Sequence, residues 1–131
     1  MAKRKNRSVH AIVTKTEFIS DVLSDSLYDS PWFRCQVSKS TPQSVIDEAR
    51  AKCECREDVW EHVILNGGSI TIIDVEEDKS YEIDLKKFER GFKRFMFDQP
   101  RHYADMMNES GDFYTADALL QTIVFGEVVY G

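Results

Sequence analysis

The chain has 131 residues, of which 42% are hydrophobic and 31% are charged, a composition that fits one globular domain. Its net charge of −6 argues against broad binding to duplex nucleic acid, which needs Lys and Arg to neutralise phosphates, but leaves room for a local basic patch. No apolar run approaches the roughly 20 residues of a membrane span, and the N-terminus lacks the apolar segment of a signal peptide. Three cysteines in no framework spacing fit a reducing compartment. Together these features predict a cytoplasmic protein that does not enter a membrane.

Residues 1–8 are predicted to form a flexible basic arm, and residues 9–131 a single domain. The arm contains Lys3, Arg4, Lys5 and Arg7 and no acidic residue. It is either a solvated chain terminus or a segment that contacts phosphate or an acidic partner. A capping box at residues 14–17 then predicts a first helix.

Three segments show the alternation of apolar and polar residues that predicts β-strands, at residues 32–37, 69–75 and 80–85. A charged turn, residues 76–79, joins the second segment to the third and has the length of a hairpin loop. We therefore expect an α+β fold in which a small antiparallel sheet of three strands is covered by helices. Trp32 begins the first strand and is either a residue of the core edge, the favoured alternative, or an exposed partner-binding aromatic residue.

Two helical patterns lie between the first and second predicted strands. Thr41 and Pro42 predict the start of the first, with Thr41 as N-cap and Pro42 as the first helical residue. Residues 53–55 either continue this helix or interrupt it, so one bent helix and two short helices are both allowed. The second pattern ends at the glycine pair of residues 67–68.

The helix predicted over residues 86–97 is amphipathic, and Asp84 is placed to cap its N-terminus. One face carries the apolar residues Leu85, Phe88, Phe92, Phe95 and Met96. The other face carries the basic residues Lys86, Lys87, Arg90, Lys93 and Arg94. This basic face is either a solvated surface beside the acidic turn, the favoured alternative, or a surface that binds a partner through Lys87, Arg90 and Arg94.

The segment that follows, residues 101–113, is polar and predicts a long loop with about one turn of helix around residues 103–107. Loops of this length are often functional, so Arg101 and Tyr103 are further candidate partner-binding residues. Thr115 is then placed to cap a final, mostly buried helix over residues 116–125.

The chain ends on the apolar residues Val128, Val129 and Tyr130. Termini are usually frayed unless they are held, and exposed apolar residues often mark contacts. Two interpretations follow. The segment either adds an edge strand to the sheet of its own monomer, or it packs across a symmetric homodimer.

The sequence contains no recognisable catalytic, metal-binding or cofactor-binding set. Cys53 and Cys55 lie closer together than paired zinc ligands, and no second pair accompanies His62. The chain has no Walker loop and no dinucleotide fingerprint. We therefore expect a protein that is not an enzyme and that uses neither a metal nor a cofactor.

Three stretches resemble a family of small uncharacterised proteins of tailed phages and prophages. They are Gly67-Gly68-Ser69-Ile-Thr-Ile, the acidic turn with Tyr81-Glu-Ile-Asp-Leu85, and the ending Phe125-Gly126-Glu127-Val-Val-Tyr130-Gly131. The resemblance covers residues 66–97 and 116–131, a little over a third of the chain. It implies a phage or mobile-element origin and a cytoplasmic setting in a bacterial host, but no activity and no catalytic residues.

The function expected from these features is that of a non-enzymatic accessory protein that binds a host component. Interference with host defence is one form, through a host protein or through a small nucleotide ligand. The alternative is a nucleic-acid-binding protein that uses the basic arm and the basic face of residues 86–94.

Overall fold

The structure is a computed structural model that describes residues 32–107 and 113–130. The predicted basic arm and the predicted first helix lie outside these residues. The elements in chain order are β1 (Phe33–Val37), α1 (Gln43–Lys52), α2 (Arg56–Leu65), β2 (Ile70–Asp74), β3 (Lys79–Ile83), α3 (Leu85–Asp98), α4 (Pro100–Met107) and α5 (Phe113–Phe125). In the described part of the chain, no helix is both long and apolar enough to cross a membrane.

The three strands form an antiparallel sheet in the order β1-β2-β3, which confirms the predicted α+β fold. The register places Cys35 opposite Ile72, and Ile72 opposite Tyr81. The alternation predicted from the sequence separates a face with the buried residues Phe33, Ile70, Ile72 and Ile83 from a face with exposed polar residues. The core therefore lies on one side of the sheet, where α2, α3 and α5 pack.

The segment between β1 and β2 forms two short helices, because residues 53–55 leave the helical conformation. Thr41 does not cap α1 as predicted, since α1 begins at Gln43 with Pro42 in the N-cap position. The buried Thr41 hydroxyl instead donates to the Ser69 carbonyl at 3.0 Å and accepts from the Ser69 N–H at 3.1 Å. The side chain therefore attaches the start of α1 to the start of β2.

The predicted cap of α3 is confirmed, because the Asp84 carboxylate accepts a hydrogen bond from the Lys87 N–H at 2.8 Å. Phe88, Phe92 and Phe95 on its apolar face are each at most 1% exposed. The helix also packs closely on α5 at Gly91, where a Cβ atom would lie 2.5 Å from the Ile123 Cα. A glycine is therefore needed for the two helices to meet at this point.

The segment over residues 101–113 contains more helix than the single turn predicted around residues 103–107, because α4 already begins at Pro100. Pro100 supplies a good first helical residue, and Tyr103 and Met106 pack against the core although the segment as a whole is polar. Thr115 does not cap α5, because the helix begins at Phe113. The Thr115 hydroxyl shares a hydrogen bond of 3.1 Å with His102 Nδ1 instead.

The predicted C-terminal edge strand is also wrong, since residues 128–130 are irregular. Their backbone is held by the side chain of Gln121, which is 1% exposed. Its Oε1 accepts from the Val129 and Tyr130 N–H groups, each at 2.8 Å, and its Nε2 donates to the Tyr130 carbonyl at 3.1 Å. A backbone that bonds to this amide has left the geometry that a sheet ladder requires.

The Tyr130 side chain is held by Asp74, a buried residue at the end of β2. Its carboxylate accepts from the Tyr130 hydroxyl at 2.9 and 3.0 Å and from the N–H groups of Glu76 and Glu77. Asp117 accepts a further bond from Gln121 Nε2 at 2.7 Å. We call Asp74, Asp117, Gln121 and Tyr130 the C-terminal clasp, since they fasten the chain end to α5 and to the sheet.

Candidate anion-binding site

A cleft of about 280 Å³ lies between α3 and α5 and contains three of the residues that the sequence marked as candidates. It is lined by Lys87, Arg90, Gly91 and Arg94 of α3 and by Thr122, Ile123, Val124, Phe125 and Gly126 at the end of α5. We call it the basic cleft. One wall is cationic, and the opposite wall is apolar apart from Thr122, whose hydroxyl donates to the Ala118 carbonyl in its own helix.

The helical repeat explains why these cations meet in one place. Lys87, Arg90 and Arg94 are spaced by three and four residues, so their side chains project from the same side of α3. Lys86 and Lys93 are seven residues apart and do not line the cleft. The predicted basic face is thus divided into a cleft side and an outer side by the position of α5.

The cleft cations have few acidic partners in their own chain. Arg94 Nε donates to Asp98 Oδ2 at 3.1 Å, an exposed pair within one helix. In the described residues, no salt bridge joins a carboxylate to Lys87 or to Arg90. Partial burial, followed by the charge of Arg90, lowers the pKa of Lys87, while Asp84 acts in the opposite direction. The neighbouring cations therefore repel each other inside a partly desolvated cleft.

The charge of α3 contrasts with that of the chain as a whole. The helix contains five Lys or Arg residues and two acidic residues, a formal charge of +3. Because the net charge of the protein is −6, the remaining residues together carry −9. The net positive charge of α3 favours an anionic ligand at this helix.

The other candidate residues lie elsewhere. Trp32 is 5% exposed, and its Nε1 donates to Asp117 Oδ1 at 2.8 Å, so it is a core residue and not an exposed partner-binding residue. Tyr103 is half-buried, with its ring 6.1 Å from that of Phe92 in an edge-to-face contact, and is likewise turned to the core. Arg101 is exposed on α4 but does not line the cleft.

The three residues predicted as oligomer contacts also differ in their exposure. Val128 is 38% exposed and Val129 is 52% exposed, so both remain accessible for a contact. Tyr130 is half-buried and packs on Trp32 at a ring distance of 5.7 Å. The Tyr130 side chain therefore belongs to the clasp of its own monomer.

Two features of the surface were missed in the sequence. Phe97 is 78% exposed, and it lies eleven residues after Lys86 and four after Lys93, which places all three on the outer side of α3. Helical periodicity alone could have found it. The apolar wall formed by α5 could not have been found, since residues 122–126 reach α3 only through tertiary packing.

A second, polar cavity of about 150 Å³ lies between residues 40–41, 67–69 and β3. The hydroxyls of Ser40 and Ser69 both donate to Glu82 Oε1 at 3.2 Å. The polar groups of this cavity thus bond to one another. It has the character of a structural junction rather than of a ligand site.

The cysteine and histidine residues in the described part of the chain do not form a reactive set. Burial, followed by the charges of Asp58 and Glu61, raises the pKa of the Cys53 thiol, which disfavours the nucleophilic thiolate. His62 Nε2 lies 2.9 Å from Glu48 Oε1 in a hydrogen bond between α2 and α1. Within the two described ranges, no group of three His, Cys, Asp or Glu side chains is placed to hold a metal ion.

Comparisons of the chain with protein families, with curated proteins and with solved structures find no match. A function for this protein is therefore inferred from the geometry and the charge of the site.

Proposed function

We propose that this protein is a non-enzymatic accessory protein of phage or prophage type that binds an anionic component of its bacterial host in the cytoplasm. The observation that carries the proposal is the concentration of cations on α3 of an otherwise acidic chain. Interference with host defence is one form that this action can take. A binding protein can act in this way by withdrawing a host molecule from its normal target.

The lining of the basic cleft supports binding rather than catalysis. A reaction needs a nucleophile or a proton donor and acceptor close to the bound substrate. No His, Cys, Asp or Glu is among the residues that line the cleft. Its cations can hold an anion, but they supply no general base at neutral pH.

The test is to identify what the protein binds in host cells. The intact chain is purified from host lysate at low salt, denatured, and its released small anions and bound macromolecules are identified by mass spectrometry. We expect an anion that is absent from a parallel sample of a variant with Lys87, Arg90 and Arg94 all changed to Gln. Recovery of nothing specific to the intact chain contradicts the proposal.

Binding of single-stranded nucleic acid is the second candidate function, and Phe97 is the observation that favours it. This exposed ring lies with Lys86 and Lys93 on the outer side of α3, on a stripe that runs about 17 Å along the helix, at 1.5 Å per residue. Bases stack on exposed aromatic rings while cations contact the phosphates. The outer side of α3 thus has the two elements of a strand-binding surface.

Fluorescence anisotropy with a labelled oligonucleotide tests this second candidate. We expect affinity that falls steeply with salt and that falls further in Phe97→Ala, while Tyr114→Ala, a change at an exposed aromatic residue of α5, leaves it unchanged. Equal binding after removal of residues 1–7 and neutralisation of all five basic residues of α3 rejects the candidate.

Formation of a homodimer through Val128 and Val129 is a separate proposal, supported by the exposure of both side chains. Truncation after Gly126 would also remove Tyr130 and the clasp, so changing Val128 and Val129 to Ser is the cleaner test. Light scattering should show a dimer for the intact chain and a folded monomer for the variant. A monomeric intact chain contradicts the proposal.

A further inference from the structure

The shape of the basic cleft limits the kind of anion that it can take. Its volume of about 280 Å³ lies near the lower end of the roughly 300–1,000 Å³ that small-molecule sites occupy. Gly91 allows α5 to contact α3 directly, so the two helices close one side of the cleft. A nucleic-acid duplex needs a long continuous surface, whereas a molecule of mononucleotide size matches the volume of this half-open cleft.

The cationic wall matches a phosphate group. Arg90, Arg94 and Lys87 supply this wall with two guanidinium groups and one ammonium group. Arginine donates paired hydrogen bonds that match the geometry of phosphate oxygens, and lysine adds a point charge. The ammonium of Lys87 also lies 5.6 Å from the centre of the Tyr81 ring, a cation–π contact. A dianionic phosphate would relieve the repulsion between these neighbouring cations.

The opposite wall of the basic cleft suits a different part of a ligand. It is formed by residues 122–126 at the end of α5, where the side chains of Ile123 and Val124 are almost fully buried and the Phe125 ring packs on that of Trp32. The final carbonyl groups of a helix lack partners within it and carry a partial negative charge, about half a unit in all. Only the Thr122 carbonyl receives a described backbone bond from beyond the helix, that of Gly126 N–H at 2.9 Å. This wall therefore repels a phosphate and suits a flat group that has N–H donors.

We propose that the basic cleft is a binding site for a nucleoside monophosphate, with its phosphate on Lys87, Arg90 and Arg94 and its base against the end of α5. A nucleobase supplies both a flat apolar surface and amino or imino donors for the carbonyls. This inference rests on the proposed function and names the class of host anion and the side of α3 that takes it.

The test is a calorimetric titration of the intact chain with AMP, CMP, GMP and UMP, with inorganic phosphate and the free nucleosides as separate probes. At least one monophosphate should bind more tightly than both inorganic phosphate and its own nucleoside. Equal affinity for the nucleotide and for inorganic phosphate overturns the assignment of the base to α5. Absence of binding by all four monophosphates overturns the site.

Two double variants with the same loss of charge locate the site. Lys87→Gln with Arg90→Gln removes two cations of the cleft, and Lys86→Gln with Lys93→Gln removes two from the outer side of α3. We expect the first pair to weaken nucleotide binding about tenfold or more, the effect of losing a charged hydrogen bond, and the second to change it by less than about threefold. Equal losses of affinity in the two double variants would show that binding depends only on the overall charge of α3. That result would overturn the assignment of the binding site to the cleft.

The same pair of variants separates this inference from the proposed function. If a host anion is recovered from lysate and is lost only with Lys86 and Lys93, the binding function stands and the cleft assignment fails. If neither pair affects recovery, the basic helix is not the binding surface and both fail. Unchanged far-ultraviolet circular dichroism and urea unfolding of the variants show that binding, and not folding, has been measured.

Discussion

The C-terminal clasp and the basic cleft share α5, but their polar groups are arranged in opposite ways. In the clasp, the Gln121 amide bonds to the backbone of Val129 and Tyr130 and to Asp117, so its partners belong to the same chain. In the cleft, Lys87 and Arg90 stand together and form no salt bridge with a carboxylate of the described residues. Polar groups paired within the chain stabilise the fold, whereas like charges gathered at a cleft cost stability unless an external anion joins them.

The largest expected effect concerns the apolar interface on which both regions depend. Phe92→Ala should lower the free energy of unfolding by about 3–5 kcal/mol, because the fully buried ring leaves a cavity. Phe97→Ala makes the same chemical change on the exposed side of the same helix and should cost less than about 0.5 kcal/mol. Urea unfolding measures both, and a loss below about 1 kcal/mol for Phe92→Ala would place its ring outside the core.

The next effect concerns the clasp. Gln121→Ala removes a buried amide that makes four hydrogen bonds, and it should cost roughly 2–3 kcal/mol because partners that remain partly buried lose their bonds. Gln43→Ala is the matched control, since the Gln43 amide is exposed and bonds only to Asp47 among the described partners. If the two variants unfold at the same urea concentration, the clasp does not hold the chain end.

A smaller effect depends on pH. Burial and the hydrogen bond to Asp74 raise the pKa of Tyr130 to about 12. Because the folded-state value lies above the ordinary value of about 10, the contribution to stability is complete below pH ~10 and is lost as the pH rises through 12. Urea unfolding between pH 8 and about 12 should show this loss in the intact chain.

Tyr130→Phe tests whether the Tyr130 hydroxyl causes this loss of stability at alkaline pH. It should lower the free energy of unfolding at neutral pH, because the hydrogen bond to Asp74 is lost, and should flatten the alkaline decline. Tyr114→Phe changes an exposed tyrosine and should keep the decline. An unchanged decline in Tyr130→Phe assigns the effect to another group.

The comparison also explains what the sequence could and could not predict. Local patterns were sufficient for the three strands, for the Asp84 cap and for the amphipathic α3, because each depends on residues close together in the chain. They failed for α4, whose polar composition hid the core contacts of Tyr103 and Met106. They failed again for Thr41, whose hydroxyl bonds across the fold to Ser69 instead of capping its own helix.

Both functional regions required tertiary contacts. The cations of α3 were evident from their spacing, but the division of that face depends on α5, which begins more than twenty residues after Arg90. The clasp joins Asp74 to Tyr130, a separation of 56 residues. No local pattern marks Gln121 as the residue that holds the terminus.

The most direct test of the central claim applies two measurements, urea unfolding and nucleotide titration, to the cleft variant with Lys87→Gln and Arg90→Gln and to Gln121→Ala. The cleft variant should keep its unfolding free energy within about 0.5 kcal/mol and lose binding about tenfold. Gln121→Ala should lose stability and, at temperatures where it is folded, retain its affinity. If the cleft variant is destabilised as strongly as Gln121→Ala while its nucleotide affinity is unchanged, the cleft cations serve the fold and the account is contradicted.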